Sequence, residues 1–336
     1  MQPLSSSQHS GILMDGHGRR ISYLRLAVTD RCNLHCTYCR PEKCAPHPRG
    51  ELLSYEELHR LVRIFAGLGI RKVRITGGEP FARQGLVGFI ERIMALPGIE
   101  TVALTTNGTL ALSHIRSLKQ LGIAGINFSL DTLSPARYQN ITGAALFHAA
   151  FAAILEAIIQ SVPTKINTVV LDNQNTDELL DLAKIAEHHP VAVRFIEPMP
   201  FGLNTTFAVS SWTAARLKEF FLHRLPGSME LLPTEGSTAH VLKVKNFQGT
   251  IGIIGGHTRI FCASCNKVRI TPQGILKNCL YDDGVLDLRQ MLRNGEKDEA
   301  IRYAIRCAVM QRRRDGRMAE QERCVDAARS MAAIGG

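Results

Sequence analysis

The sequence has few aromatic residues, one tryptophan and no apolar run long enough to cross a bilayer. Aromatic residues make up 6% of its 336 positions, charged residues 21% and hydrophobic residues 45%. The most apolar helical stretch, residues 147–159, carries Glu156 and falls short of a membrane span. Residues 1–20 lack the apolar segment of a signal peptide. These features argue against a disordered or membrane-embedded chain, and we expect a globular cytoplasmic protein.

The chain is basic, with 40 Lys and Arg against 30 Asp and Glu and a formal charge of +10. Such an excess suits an anionic partner, either a phosphorylated small molecule or nucleic acid. Apart from Arg312-Arg313-Arg314 the basic residues are scattered, so a dispersed basic surface explains the charge equally well. The scarcity of aromatic residues, with no basic stripe interleaved among them, argues against nucleic acid.

The first cysteine group lacks a fourth cysteine. Cys32, Cys36 and Cys39 follow the apolar run 23–29, which is predicted to be a strand. Nine cysteines in a reducing compartment indicate metal or redox chemistry rather than disulfides. A four-iron cluster prefers thiolate ligands, so three cysteines leave one iron open for another ligand. The alternative is a zinc site completed by His35 or His47.

A second group, Cys262, Cys265 and Cys279, also lacks a fourth cysteine. Zinc completed by His257 and an iron–sulfur cluster with one open iron are both compatible with this spacing. The remaining cysteines are interpreted as buried or incidental thiols. They are Cys44, Cys307 and Cys324.

Strands and helices alternate through the first two thirds of the chain. Six apolar runs, separated by helical patterns, recur in units of about 25–30 residues, which is typical of parallel βαβ units. A capping box at Ser54 and Glu57 marks the first of these helices. Six units are fewer than the eight of a closed barrel. We therefore predict an α/β fold, an incomplete (β/α)6 TIM-type barrel at 21–203, with a flexible tail at 1–20 and a C-terminal α+β extension at 204–336 that carries the second cysteine group.

Polar segments follow the predicted strands at 76–80, 105–108, 129–131 and 194–199. The carboxyl ends of parallel strands meet at one rim of a barrel, where function resides. We expect these segments to meet the first cysteine loop at that rim.

Three cations lie in or beside predicted strands that are otherwise apolar: Arg25, Arg74 and Lys165. Such a cation must be paired or must face a charged ligand. A nucleoside triphosphate matches three cations through its phosphate oxygens. The alternative is internal ion pairing with Glu79 or Glu197.

The C-x3-C-x2-C loop resembles that of the radical S-adenosylmethionine superfamily. In that superfamily a reduced cluster donates an electron to the sulfonium of S-adenosylmethionine, and a 5′-deoxyadenosyl radical results. The resemblance extends to the segment Gly77-Gly78-Glu79-Pro80. It implies contacts to S-adenosylmethionine at six positions, which are Tyr38, Gly78, Glu79, Ser129, Arg194 and Met199.

The sequence around the second cysteine group restricts the resemblance to one family of that superfamily. Residues 261–269, the segment 274–276 and the terminal Gly335-Gly336 resemble the GTP 3′,8-cyclase family of molybdenum cofactor biosynthesis, and the resemblance runs from about residue 18 to the C-terminus. It implies two [4Fe-4S] clusters and GTP bound between them. Gly335 and Gly336 would enter the active site and, with the first three cysteines, serve catalysis. The implied GTP contacts are Arg25, Arg74, Thr105, Lys165, Lys267, Val268 and Arg269.

Two positions depart from the family pattern, namely Lys267, where arginine is usual, and Arg40-Pro41. Lysine loses bidentate bonding, so we expect weaker positioning of GTP. The implied partners are a reductant such as flavodoxin or ferredoxin, the downstream cyclic pyranopterin monophosphate synthase and a second copy of the chain, without nucleic acid or membrane. Two alternatives stay open: another two-cluster radical enzyme that modifies peptides, and a basic zinc protein that binds nucleic acid.

Overall fold

The structure is a computed structural model that describes residues 11–39, 45–199, 210–231, 238–259, 262–322 and 331–335. Its strands are β1 (Tyr23–Ala27), β2 (Lys72–Thr76), β3 (Thr101–Thr106), β4 (Ile126–Ser129), β5 (Thr164–Val169), β6 (Ala192–Ile196), β7 (Met229–Leu231), β8 (His240–Lys243), β9 (Thr250–Ile254), β10 (Lys267–Ile270), β11 (Ile275–Lys277) and β12 (Leu286–Asp287).

The helices are α1 (Tyr55–Gly67), α2 (Leu86–Met94), α3 (Ile115–Leu121), α4 (Pro135–Thr142), α5 (Phe147–Ile159), α6 (Leu179–His188), α7 (Ala214–Arg224), α8 (Leu288–Arg293), α9 (Asp298–Met310), α10 (Gly316–Gln321) and α11 (Met331–Ile334). Four short 3-10 helices lie at Arg49–Glu51, Pro80–Ala82, Leu112–His114 and Thr176–Glu178.

All twelve strands form one mixed sheet, in the order β12-β11-β10-β1-β2-β3-β4-β5-β6-β9-β8-β7. Strands β1 to β6 are consecutive and parallel, which confirms the predicted βαβ units. Two further strands extend the parallel region, because β10 pairs with β1 and β9 pairs with β6. The predicted extension therefore contributes strands to both edges of the barrel sheet.

Side-chain caps mark the starts of five helices, namely α1, α4, α7, α8 and α10. Ser54 caps α1: its hydroxyl accepts from the Glu57 amide at 3.1 Å, and the Glu57 carboxylate accepts from the Ser54 amide at 2.7 Å. This confirms the predicted capping box. Helix α4 was not predicted, because it is short and begins with a proline that suggests a turn. Ser134 caps it and Pro135 occupies its first turn, where a proline is well tolerated.

Strand alternation separates an apolar face from a charged one. Leu24 and Leu26 point into the hydrophobic core beneath the helices. Arg25 has the opposite orientation, because successive side chains of a strand point to opposite faces. Its register partners are Arg74 on β2 and Arg269 on β10. The inner face of the barrel thus brings together cations from neighbouring strands.

Among the described residues, no single helix has the length and apolar composition needed to cross a membrane. Helices α4 and α5 meet both requirements only as a pair bent by 106°. Five of the thirteen residues of α5 are buried against the core.

Gly78 allows the loop after β2 to pack against the first cysteine loop. Its amide donates to the Thr29 carbonyl at 2.7 Å, and a Cβ atom here would overlap the Arg31 carbonyl. We predict that Gly78→Ala lowers the free energy of unfolding by about 1–3 kcal/mol, because the backbone has to move apart. Urea denaturation measures this change.

Gly88 provides the matched control, because it lies inside α2 with no atom within 4 Å of an added Cβ. Gly88→Ala should raise the free energy of unfolding by about 0.5–1 kcal/mol, since glycine weakens a helix interior. Equal effects of the two substitutions would contradict the packing role of Gly78.

Candidate active site

The first cysteine loop follows β1 and is held from two sides. On one side the His35 and Thr37 amides donate to carbonyls at the end of α4, at 2.8 and 3.0 Å. On the other, the Glu79 amide donates to the Arg31 carbonyl at 2.7 Å. Burial raises the pKa of the Cys36 thiol, and the charges of Cys39, Asp131 and Cys32 raise it further. The three sulfur atoms therefore lie close enough to interact electrostatically.

This donor set fits an iron–sulfur cluster better than a single metal ion. In the described part of the chain, no group of three or more His, Cys, Asp or Glu side chains is arranged to hold one ion. Each thiolate of a cluster binds a different iron, so the sulfur atoms need not converge on one point. His47 Nδ1 lies 2.8 Å from the Asp30 carboxylate and 2.6 Å from the Gln273 amide.

Glu79 is fully buried and joins two loops of the rim. Its carboxylate accepts from the Thr106 hydroxyl at 2.7 Å, the Asn107 amide at 2.7 Å and the Phe81 amide at 3.1 Å. Burial outweighs these hydrogen bonds and raises the pKa of Glu79 to about 7. The Glu79 carboxylate thus accepts hydrogen bonds from the loops and does not form ion pairs with the strand cations.

Glu197 has a similar role at the end of β6. Its carboxylate accepts from the Ala214 amide at the start of α7, and from the amides of His257 and Thr258 at 3.0 Å each. The acidic side chains considered as internal partners for the strand cations are thus both engaged elsewhere.

The other expected contacts of S-adenosylmethionine lie around the same rim. The Tyr38 hydroxyl donates to Asp131 at 2.7 Å, and Asp131 also accepts from the Val169 amide at 2.8 Å. Ser129 is the last residue of β4. Arg194 lies on β6, in register with Asn167. Met199 packs beside Tyr281, three residues after β6 ends.

A cluster of interior cations lines the inner face of the barrel. Arg74 donates to the Leu104 carbonyl at 3.1 Å and to the Thr105 hydroxyl at 3.4 Å, while the Arg25 Nε atom is buried without a partner. Within the described residues, none of these side chains forms an ion pair. We call this set the cation cluster: Arg25, Arg74, Lys165, Arg194 and Arg269.

The protonation equilibria of the cation cluster reflect this crowding. Burial and the charge of Arg269 lower the pKa of Arg25 to about 9. Burial, followed by Arg194 and Arg74, lowers the pKa of Lys165 to about 8. Like charges that depress one another's pKa form a site in which a bound anion relieves the repulsion.

Tyr23 and Lys72 belong to the same face but were not predicted. Tyr23 accepts a hydrogen bond from Arg74 Nε at 2.5 Å, and Lys72 Nζ lies 5.0 Å from its ring centroid. Burial opposes ionisation of the phenol, but Arg74, Arg25 and Lys72 outweigh it and lower the pKa of Tyr23 to about 8. The two-residue spacing from Tyr23 to Arg25, and from Lys72 to Arg74, was the available signal.

The three expected GTP contacts on β10 divide between two faces. Lys267 and Arg269 pair with Tyr23 and Arg25 on the inner face. The Val268 side chain is fully buried in the hydrophobic core. Only the backbone of Val268 is therefore available to a ligand in the barrel.

The second cysteine group lies beside the cation cluster. The Cys265 amide donates to the Cys262 carbonyl at 3.3 Å, and the Cys279 amide donates to Asp282 at 2.7 Å. Burial raises the pKa of Cys262 and Cys279. Burial also opposes ionisation of Cys265, but Arg312 and Lys267 outweigh it and lower the pKa of that thiol. The His257 ring is not part of a three-residue single-ion site in the described chain.

The C-terminal segment reaches into the barrel. The Met331 amide donates to the Cys39 carbonyl at 3.0 Å, and Arg269 donates to the Gly335 carbonyl at 3.1 Å. Gly335 has a φ of +82°, and a Cβ atom there would lie 2.6 Å from Ala27 Cβ and 2.7 Å from Thr76 Oγ1. Gly335 thus sits between the ends of β1 and β2, next to Arg269.

Several predicted residues lie outside the described part of the chain. They are Arg40, Pro41, Cys44, Cys324 and Gly336. Cys307 is exposed on α9.

A three-cysteine loop after the first strand of a parallel barrel sheet defines the class of the protein. Residues 26–186 match the family model of the Radical SAM superfamily, and residues 191–318 match that of Molybdenum Cofactor Synthesis C. A structure of Streptococcus suis SuiB bound to S-adenosylmethionine shares the fold, with a TM-score of 0.58, 16% identity and coverage of 85% of this chain and 69% of that one. The chain is a radical S-adenosylmethionine enzyme, a class that uses S-adenosylmethionine and a [4Fe-4S] cluster.

More similar relatives narrow the class to a family. The GTP 3′,8-cyclase of Pelotomaculum thermopropionicum is 39% identical over 88% of this chain and 93% of its own length. Molybdenum cofactor biosynthesis protein 1 of Mus musculus is 39% identical over 91% of this chain, which spans only 48% of the mouse protein. The chain therefore belongs to the GTP 3′,8-cyclase family, as its motifs predicted.

An anion bound in the cation cluster should cause the protein to take up protons. Negative charge raises the pKa of Lys165 and of Tyr23 from about 8 toward their ordinary values. At pH 8 each group is about half protonated, so each takes up about half a proton on binding. At pH 6 both groups are already protonated and uptake disappears. Calorimetry of sulfate binding in buffers of different ionisation enthalpy measures this uptake, because sulfate itself exchanges no protons in this pH range.

Two variants separate the contributions. Tyr23→Phe should reduce the uptake at pH 8 by about half. Tyr303→Phe, at a tyrosine exposed on α9, should leave it unchanged. Proton release at pH 8 in the parent chain would contradict the assignment.

Proposed function

We propose that this chain converts GTP to (8S)-3′,8-cyclo-7,8-dihydroguanosine 5′-triphosphate, the first step of molybdenum cofactor biosynthesis. The observation that carries the proposal is the cation cluster, which lines the barrel without carboxylate partners among the described residues. Several buried cations without carboxylate partners favour an anionic ligand, and a triphosphate offers matching charge in one molecule.

The first cysteine group would hold a [4Fe-4S] cluster, which when bound supplies one electron for reductive cleavage of S-adenosylmethionine. The rim residues around it would bind and orient the cofactor. Those residues are Tyr38, Gly78, Glu79, Ser129, Arg194 and Met199. Glu79 and Asp131 support this arrangement by fixing the backbone of neighbouring loops.

The second cysteine group would hold another [4Fe-4S] cluster, whose ligation by Cys262, Cys265 and Cys279 leaves one iron free for a substrate atom. Lys267 lies on β10, between Cys265 and Cys279, on the same face of the strand as Arg269 of the cation cluster. Since Lys267 replaces the usual arginine, it holds a phosphate as a point charge rather than through a planar fork.

The chain's own residues would position GTP for the radical reaction. Arg25, Arg74 and Lys165 would bind the triphosphate, with Thr105 as a hydroxyl contact and Val268 as a backbone contact. The reaction removes the hydrogen atom from C3′, joins C3′ to C8 of guanine, and adds one electron and one proton to the resulting aminyl radical. Exclusion of water by the enclosed barrel protects these radicals.

The wider assignments follow from the same proposal. The barrel at 21–203 would provide S-adenosylmethionine chemistry, and the region 204–336 the second cluster and the Gly-Gly tail. The prediction of a flexible tail at 1–20 is wrong for residues 11–20, where Leu13 and Asp15 are buried. The enzyme would act in the cytoplasm, receive electrons from flavodoxin or ferredoxin, and supply cyclic pyranopterin monophosphate synthase. A homodimer is part of the proposal.

Anaerobic reconstitution tests the proposal directly. We expect about eight irons per chain, because two four-iron clusters bind. Incubation with GTP, S-adenosylmethionine and dithionite should yield 5′-deoxyadenosine and a cyclised nucleotide. Lys165→Gln should lower kcat/KM for GTP roughly 10- to 100-fold, the effect of losing a charged hydrogen bond.

Lys184→Gln is the matched control, because Lys184 is an exposed lysine on α6. About eight irons without GTP binding or a cyclised nucleotide would favour the two-cluster, peptide-modifying alternative. Zinc in place of iron would instead favour the nucleic-acid alternative.

Gly335 allows a separate test of the tail. Gly335→Ala should lower the rate of cyclisation roughly 10- to 100-fold, because the added methyl group collides with Ala27 and Thr76 and displaces the tail. Product formation under saturating GTP measures the effect. Gly295→Ala controls for backbone strain, since Gly295 also has a positive φ but no atom within 4 Å of an added Cβ. Unchanged cyclisation after deletion of residues 335–336 would rule out a role for the tail.

A further inference from the structure

Arg312 holds Cys265 at two atoms. Its Nη2 atom donates to the Cys265 sulfur at 3.0 Å, and its Nη1 atom donates to the Cys265 carbonyl at 3.0 Å. The arginine side chain is 4% exposed. Although Cys265 and Arg312 are 47 positions apart in the sequence, the guanidinium plane contacts both the side chain and the backbone of this cysteine.

The Arg312 guanidinium is itself fixed in place. Its Nη1 atom lies 3.7 Å from the carboxylate of Asp15, whose side chain is fully buried. The carbonyl of Arg312 is 3.1 Å from the His17 ring, and its amide donates to the Val309 carbonyl at 3.0 Å. The side chain and backbone of Arg312 are therefore anchored independently, which restricts the guanidinium to its position beside Cys265.

A second arginine completes the arrangement. Arg19 pairs with Asp15 at 2.6 Å and donates to the Cys262 carbonyl at 3.0 Å. One buried carboxylate thus organises two guanidinium groups, and each binds the carbonyl of one cysteine in the C-x2-C pair. The carboxylate balances one of the two positive charges, and Cys265 in its thiolate form would balance the other.

We propose that Arg312 is a positioning residue of the second cysteine group, whose charged hydrogen bond to Cys265 raises the reduction potential of the cluster held there and slows its loss. The inference rests on the proposed function, because the second cluster belongs to it. A hydrogen bond to a ligating sulfur withdraws negative charge and favours the reduced, more negative cluster. A bond from a charged donor is stronger than one from a neutral amide.

The surroundings of the first cysteine group differ. The donors that approach Cys32 include the Leu34 amide at 3.4 Å and the Asn107 carboxamide at 3.7 Å, both neutral. The guanidinium at 3.0 Å from Cys265 is closer and carries a full charge. The contrast is therefore between these two neutral donors at Cys32 and a charged donor at Cys265.

The test uses the full-length chain with Cys32, Cys36 and Cys39 replaced by alanine, so that only the second cluster remains. Arg312→Gln in this background should lower the midpoint potential measured by a redox titration followed by electron paramagnetic resonance. The same variant should lose iron faster to a chelator. Arg312→Lys keeps the charge but not the two-point contact, and should give an intermediate shift.

Arg313→Gln provides the matched control, because it removes the same charge from the next residue. The Arg313 side chain is 52% exposed and pairs with Glu322 at 2.6 Å. It should leave the midpoint potential and the rate of iron loss unchanged.

The outcomes distinguish this inference from the proposed function. Absence of iron from the triple-alanine parent overturns the proposed function and this inference with it. About four irons in the parent, with Arg312→Gln indistinguishable from Arg313→Gln, overturns this inference alone. If Arg312→Gln loses the cluster while keeping the parental circular dichroism spectrum, the positioning role is supported. If Arg312→Gln does not fold, Arg312→Lys decides: an unchanged potential and iron retention overturn the proposal.

Discussion

Repulsion among the cations on the inner face of the barrel is the constraint on which the rest of the structure depends. Arg25 lies in register with Arg74 on one side and Arg269 on the other. Lys165 and Arg194 add charge from the neighbouring strands β5 and β6. Burying like charges is unfavourable unless counter-charge is supplied. Folding therefore prepares a site whose electrostatic free energy falls when an anion enters, and β10, contributed by the C-terminal region, completes that site.

The acidic residues of the rim have a separate task. Glu79, Asp131 and Glu197 accept hydrogen bonds from backbone amides of adjacent loops rather than from the cation cluster. These carboxylates therefore form no ion pairs with the cations of the cation cluster. This division lets the loops that carry the cysteines stay rigid while the barrel interior keeps its attraction for an anion. The rigidity of the loops and the positive charge of the barrel interior thus depend on different residues.

Features whose partners are close in the sequence could be predicted, whereas features that depend on distant partners could not. Motifs within a few residues, such as the capping box at Ser54, were predicted because their partners are local. Arg25, Arg74 and Lys165 were expected from the family resemblance, with which their position in otherwise apolar strands agrees. Tyr23 escaped notice because tyrosine fits an apolar strand, and the parallel pairing of β10 because register depends on distant contacts.

The basic run Arg312-Arg313-Arg314, which follows α9, also shows that a contact with distant residues could not be predicted from the sequence. In the sequence, this run of three arginines is the exception to a scattered distribution of basic residues. In the structure, Arg312 is buried against Cys265, whereas Arg313 is exposed and paired with Glu322. Helix α9 ends at Met310, so the chain turns there and successive side chains take different directions. The buried carboxylate of Asp15, almost three hundred positions earlier, and the carbonyl and sulfur of Cys265 make an interior position favourable for that guanidinium. The positive charge of this chain is therefore concentrated in part around its two candidate ligand sites, the cation cluster and the second cysteine group, rather than dispersed evenly over the surface.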